Sequence, residues 1–128
     1  MGFFNKIFGV NKSEDTTPES FWMYLEETPL DEIVKISFEK PVAIFKHSTR
    51  CSVSRMAWNQ FSNQFDIEFE KMGLYFLDLL AYRSISNEVA ERFGVVHQSP
   101  QLIVIKEGKA IFDTSHSDID AEDLKQFI

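Results

Sequence analysis

Short apolar runs and apolar residues at helical spacing take turns along this chain, a rhythm that predicts an α/β fold. Phe21-Trp22-Met23-Tyr24-Leu25 suits a first short strand. Thr28-Pro29-Leu30-Asp31 opens a helix, with Thr28 as cap, Pro29 in the first turn and Asp31 at the positive end of the dipole. Leu30, Ile33, Val34 and Phe38 form its inward face. Pro41 to Phe45 is an apolar run behind a proline and reads as a buried strand over about 42–46. Val53, Met56, Ala57, Phe61 and Phe65 then recur at helical spacing, predicting a helix from about 52 to 66. Leu74 to Leu80 reads as a third buried strand. Ser86 is placed to cap a helix through Phe93, stopped by Gly94. Leu102–Lys106 and Lys109–Asp113 are strands split by Glu107-Gly108, a hairpin turn signature. A last helix runs from about Asp120, with Leu124, Phe127 and Ile128 inward. The order is β-α-β-α-β-α-β-β-α. Its two crossovers predict parallel strands, and the hairpin adds an antiparallel edge to a mixed sheet of four to five strands flanked by helices.

Composition narrows the function classes. A chain of 128 residues with 44% hydrophobic content and 13 phenylalanines is one globular domain, expected over 21–128, behind a flexible polar lead-in over 1–20. The formal charge of −7 argues against nucleic-acid partners, which need basic patches. No apolar run approaches about 18 residues, so stable membrane insertion is not expected. Met1 to Gly9 is apolar but too short for a secretory signal, and Lys6 departs from the myristoylation pattern. The one cysteine rules out an internal disulfide and a cysteine-based zinc site, and it suits a reducing, cytoplasmic setting.

That cysteine changes the picture most. Cys51 falls at the turn from the second strand to the second helix, where unpaired backbone N–H groups and the helix dipole favour a thiolate. Arg50 and Arg55 add positive charge, and Ser52 offers a hydroxyl and an N–H. Ser54 stands where a dithiol enzyme would carry its resolving cysteine; its hydroxyl is equally suited to bond the sulfur or to cap the helix. His47 and His97 are candidate charge partners of the sulfur. With His116 they match no compact metal-ligand spacing, so no metal is expected. Arg83 follows the third strand and is expected at the same sheet edge as Cys51, where parallel-sheet sites collect, with a surface ion pair as its competing role. A phosphatase-like loop would need an arginine at position 57, which is alanine.

The element order, the cysteine after the second strand and Ser99-Pro100 before the hairpin together resemble the thioredoxin-like layout, a three-layer sandwich. Lys46-His47-Ser48, Cys51 with Val53-Ser54, Arg83, Ser86-Asn87, Gly94-Val95, His97, Ser99-Pro100-Gln101 and Ser115-His116 with Ile119 are more specific. Over roughly 21–128 they resemble the monothiol bacilliredoxins, the YtxJ-like bacillithiol-system proteins. That family's turn often has threonine before the cysteine and proline after it, where this chain has Arg50 and Ser52.

The resemblance implies a thiol–disulfide oxidoreductase whose Cys51 removes bacillithiol from mixed disulfides on other proteins. It implies no bound cofactor, bacillithiol as co-substrate, S-bacillithiolated proteins as partners and a separate reductase for recycling. Ser99 and Pro100 would face the cysteine across a cis bond and pair with the substrate backbone, while Arg83 would grip the malate carboxylates of bacillithiol. Two alternatives stay open: a non-catalytic thioredoxin-fold binding module, and exchange with another thiol such as glutathione or coenzyme A.

Overall fold

A computed structural model describes residues 22–128; the lead-in expected over 1–20 and Phe21 lie outside the described residues. Five strands form one mixed sheet: β1 (Met23–Tyr24), β2 (Val42–His47), β3 (Gly73–Asp78), β4 (Gln101–Lys106) and β5 (Lys109–Ser115), in the order β1-β3-β2-β4-β5. β1 and β2 run parallel to β3, whereas β4 is antiparallel to both β2 and β5. Three α-helices, α1 (Leu30–Ser37), α2 (Ser52–Gln64) and α3 (Arg83–Phe93), accompany three 3₁₀ segments among the described residues.

Strand alternation divides the core in two. Val42 and Ile44 join Leu30, Ile33, Val89 and Ile103 on the α1/α3 face. Ala43 and Phe45 join Phe61, Met72, Leu74 and Leu124 on the α2 face. Every residue of β2 is buried, as expected for a central strand covered on both sides. On the α2 face the rings of Phe45, Trp58, Phe61 and Phe76 interlock, with centroids 5.0 Å apart for Phe45–Trp58, 5.1 Å for Phe45–Phe61 and 4.7 Å for Trp58–Phe76. These spacings suit edge and tilted ring contacts.

The structure corrects several local expectations. β1 holds two residues, and Leu25 begins a 3₁₀ turn instead of ending the strand. The N–H of Thr28 closes that turn on the Leu25 carbonyl, and Pro29 rather than Thr28 caps α1, its carbonyl accepting from Glu32 and Ile33. Ser86 does not cap α3. The cap is Tyr82, four residues earlier, and Ser86 is buried inside the helix. Phe38 is the C-cap of α1 and 64% exposed, and it and Val34 each stand 3.5 Å from the place a side chain on Gly108 would occupy. Glu107 and Gly108 both take positive φ, 52° and 77°, as a tight two-residue hairpin demands. Gly94 ends α3 in the left-handed region, φ 67°. β3 ends at Asp78, two residues short of Leu80. The closing segment, Ala121–Phe127, is 3₁₀ rather than α, capped by the Asp120 carboxylate on the Glu122 N–H, and Ile128 is exposed.

The apolar stripe of α2 also shifts. Ala57, Trp58, Phe61 and Phe65 pack on the sheet, but Val53 and Met56 are 57% and 70% exposed. The first turn of α2 therefore presents apolar side chains outward, beside the cysteine.

Candidate functional site

β2 and β3 both end at one edge of the sheet, and α2 and α3 both begin there. His47 pairs with Asp78 across β2 and β3, and Lys46 pairs with Gln101 across β2 and β4. That register brings Pro100, the residue before Gln101, to the same edge as the loop 48–51. The Ser99–Pro100 peptide bond is cis.

Cys51 is the N-cap of α2, exposed, with extended backbone at φ −103° and ψ 123°. Its carbonyl accepts from the Arg55 N–H at 3.0 Å, and its own N–H donates to the Ser48 carbonyl at 3.1 Å. The sulfur makes no capping bond, and no acidic residue lies in the first helical turn. The thiol is therefore exposed at the N-terminus of α2, with no carboxylate on its own helix.

The loop beneath it is tied down. The Ser48 N–H donates to Ser54 Oγ at 2.9 Å, and that hydroxyl also pairs with His47 Nδ1 at 2.8 Å. Thr49 Oγ1 donates to Asp78 Oδ2 at 3.3 Å, and the Leu79 N–H donates to the His47 carbonyl at 2.9 Å. Ser54 is buried and its hydroxyl is committed to the loop, so it neither bonds the sulfur nor caps the helix. His47 is buried beneath the loop with its ring centroid 5.3 Å from that of Phe76. Burial pulls its pKa below the usual histidine value, with Asp78 and Ser54 acting in the opposite direction. Among the described residues, neither His47 nor His97 hydrogen-bonds the sulfur; each is engaged elsewhere.

His97 belongs to the other face of the sheet. Alternation along β2 sends Lys46 opposite to His47, into the α3 side. There its Nζ, fully buried, donates to the Ser86 carbonyl at 3.1 Å and lies 3.4 Å from His97 Nδ1. Ser86 Oγ is also 3.4 Å from that nitrogen. Burial pushes the Lys46 pKa down to about 8. The His97 pKa is lowered by burial first and then by the positive charges of Lys46 and Arg83. Arg83 is the exposed first residue of α3, at the cysteine's edge as expected, and it forms no ion pair among the described residues. Arg50 and Ser52 are exposed on either side of Cys51, while Arg55 reaches back to the Thr49 carbonyl at 3.4 Å. Among the described residues, no three histidine, cysteine or acidic side chains converge as metal ligands.

Two features had weak sequence signals. A lysine closing an apolar run, Val42-Ala43-Ile44-Phe45-Lys46, marks a buried charge, but nothing local names its partners. His116 adopts φ 57°, rare for a non-glycine residue, and donates its N–H to the Pro100 carbonyl at 3.1 Å. It joins Val53, Met56, Gln60 and Ile119 around a groove of about 220 Å³ along the first turns of α2, the helix that Cys51 caps.

A family model described as monothiol bacilliredoxin BrxC matches residues 25–124. Among solved structures, the chain is similar to a thioredoxin-fold protein assigned as an oxidoreductase, with 26% identity, TM-score 0.68, and 88% of this chain and 97% of that one covered. It is also similar to mitochondrial thioredoxin 3 of Saccharomyces cerevisiae, with 15% identity, TM-score 0.60, and coverage of 86% and 95%. A Malassezia sympodialis thioredoxin matches at 21% identity and TM-score 0.55, over 75% of this chain and 79% of that one.

Proposed function

The chain belongs to the monothiol bacilliredoxin family, and from that membership we propose that it removes bacillithiol from mixed disulfides on other proteins through Cys51. The family and the thioredoxin fold support thiol–disulfide exchange in general. The observation that supports a one-thiol mechanism is the pairing of an exposed, uncapped thiol with a buried serine three residues on, while the choice of bacillithiol rests on the family.

In the proposed reaction the Cys51 thiolate attacks the bacillithiol sulfur of a modified protein. The new S–S bond forms as the old one breaks, and the client's sulfur leaves as a thiolate that takes up a proton. Ser54 cannot form a disulfide, so the chain stays joined to bacillithiol until a second thiol attacks that bond and regenerates Cys51. A separate reductase system supplies that thiol, and the cycle needs no bound cofactor. A reducing compartment, the cytoplasm, suits a protein that works through one exposed thiol. Among the described residues, no helix is long and apolar enough to cross a membrane.

The groove at Val53 and Met56 supports docking of the client's apolar side chains next to the sulfur. Ser99 and Pro100, at the same edge, suit pairing with an extended client backbone. The test is an exchange assay on one client protein carrying bacillithiol, glutathione or coenzyme A. Bacillithiol should be removed fastest. Faster turnover of either other adduct would overturn the bacillithiol assignment, and no turnover with any of them would leave a binding module.

A further inference from the structure

Lys46 is a buried cation that meets only neutral acceptors. Its Nζ reaches a helix carbonyl and a ring nitrogen, and no carboxylate pairs with it among the described residues. Burying a charge without an opposite partner is costly, which makes such a lysine unusual in a core. An ammonium has three N–H donors and no lone pair, so the ring nitrogen facing it must accept. His97 Nδ1 is thereby held unprotonated, and Nε2 carries the hydrogen of the neutral ring.

His97 also lines an open groove of about 490 Å³ on the flank of α3, next to Asn87 and Val96. With Nδ1 turned to the ammonium and the Ser86 hydroxyl, Nε2–H is the ring's remaining polar group. Arg83 stands one helical turn before Asn87, on the same side of α3 and at the cysteine's end of it. Glu91, the acidic residue of the groove, lies one turn beyond Asn87, about 12 Å along the axis from Arg83. Arg83 therefore lies just beyond the Asn87 end of the groove, the end towards Cys51.

We propose that Lys46 and Ser86 fix His97 as an Nε2–H donor which, with Arg83, forms a subsite for a carboxylate of the bound mixed disulfide. Lys46 is a positioning residue there, acting through His97, and Arg83 supplies the charge. The proposal rests on the exchange reading above for its role. Its structural part stands apart, because the ring's tautomer and its response to an anion do not need Cys51 to turn over. The carboxylate has two sources, the small thiol or an acidic residue of the client beside the disulfide.

The test has two arms. Nitrogen-15 spectra of the full-length protein should place His97 in the Nε2–H form, and succinate should shift that resonance saturably while succinamide does not. Lys46→Met should release the tautomer preference. In the exchange assay, one neutral peptide carries either mercaptosuccinate or 2-mercaptoethanol, and a second peptide with acidic flanks carries 2-mercaptoethanol. Arg83→Gln and Lys46→Met should each cut the preference for mercaptosuccinate about tenfold, through KM rather than kcat. Loss of preference for the acidic-flanked peptide instead assigns the same subsite to the client. An Nδ1–H ring in the wild-type protein, no response to succinate, or an unchanged preference in both comparisons would overturn the proposal. If no disulfide is turned over at all, the exchange reading fails, and the spectra alone decide the subsite.

Discussion

At the scale of single residues, two buried polar side chains set what the site can do. Ser54 Oγ holds the Ser48 N–H and the His47 ring under the cysteine loop. Ser54→Ala leaves that N–H and the ring nitrogen without partners and should cost about 1–3 kcal/mol, read from denaturant midpoints. An unchanged midpoint would mean that the loop is held by its other contacts. Lys46 gives the protein an alkaline signature. Its folded pKa of about 8 lies below the 10.5 of the unfolded chain, so between those values the unfolded state binds more protons. Unfolding free energy should therefore rise with pH across that window, and the penalty of burying the charge is fully present below it. Lys46→Met should flatten the rise and raise stability at pH 7, as guanidinium titrations at pH 7 to 10 would report. His47 and His97, both lowered mainly by burial, work at the acid end: their contribution is whole above the unfolded value of 6.5 and is lost as pH falls through the folded ones.

At the scale of elements, α2 divides into an outward first turn and an inward remainder. Phe61 is enclosed by Phe45, Trp58 and Phe65, so Phe61→Ala should cost about 3–5 kcal/mol of stability. Met56 is exposed on the groove, so Met56→Gln should hold stability within about 0.5 kcal/mol yet raise KM for protein disulfides. A matched loss of stability in both variants would contradict that division. Periodicity alone joined Val53 and Met56 to the same stripe as Phe61, because helical spacing records which side a residue is on and not whether the sheet still lies beneath it. Other elements were legible for definite reasons. The apolar run after Pro41 marked β2, Glu107-Gly108 marked the hairpin, and Gly94 marked the end of α3. Cap positions were less so: Thr28 and Ser86 have capping side chains, but Pro29 and Tyr82 occupy the caps. In α3 the burial of Ser86 against Lys46 is a tertiary fact with no local pattern.

At the scale of the whole molecule, the parallel β1, β3 and β2 and the antiparallel hairpin bring Cys51, Pro100 and Arg83 to one edge from three separate stretches of chain. That convergence followed from the element order, and Cys51 stood out as the chain's single cysteine. The pairing of His47 with Ser54 and of Lys46 with His97 did not follow, because alternation in β2 sends neighbouring residues to opposite faces. In the proposed cycle one thiol carries the exchange and stops at a mixed disulfide. Intact-mass analysis of the protein after incubation with a bacillithiol-modified client tests it most directly. The expected result is one bacillithiol on each chain, attached at Cys51, with an equal amount of client thiol released and neither event in Cys51→Ser. Client thiol released at the wild-type rate by Cys51→Ser, or a wild-type chain that never acquires the adduct, would contradict it.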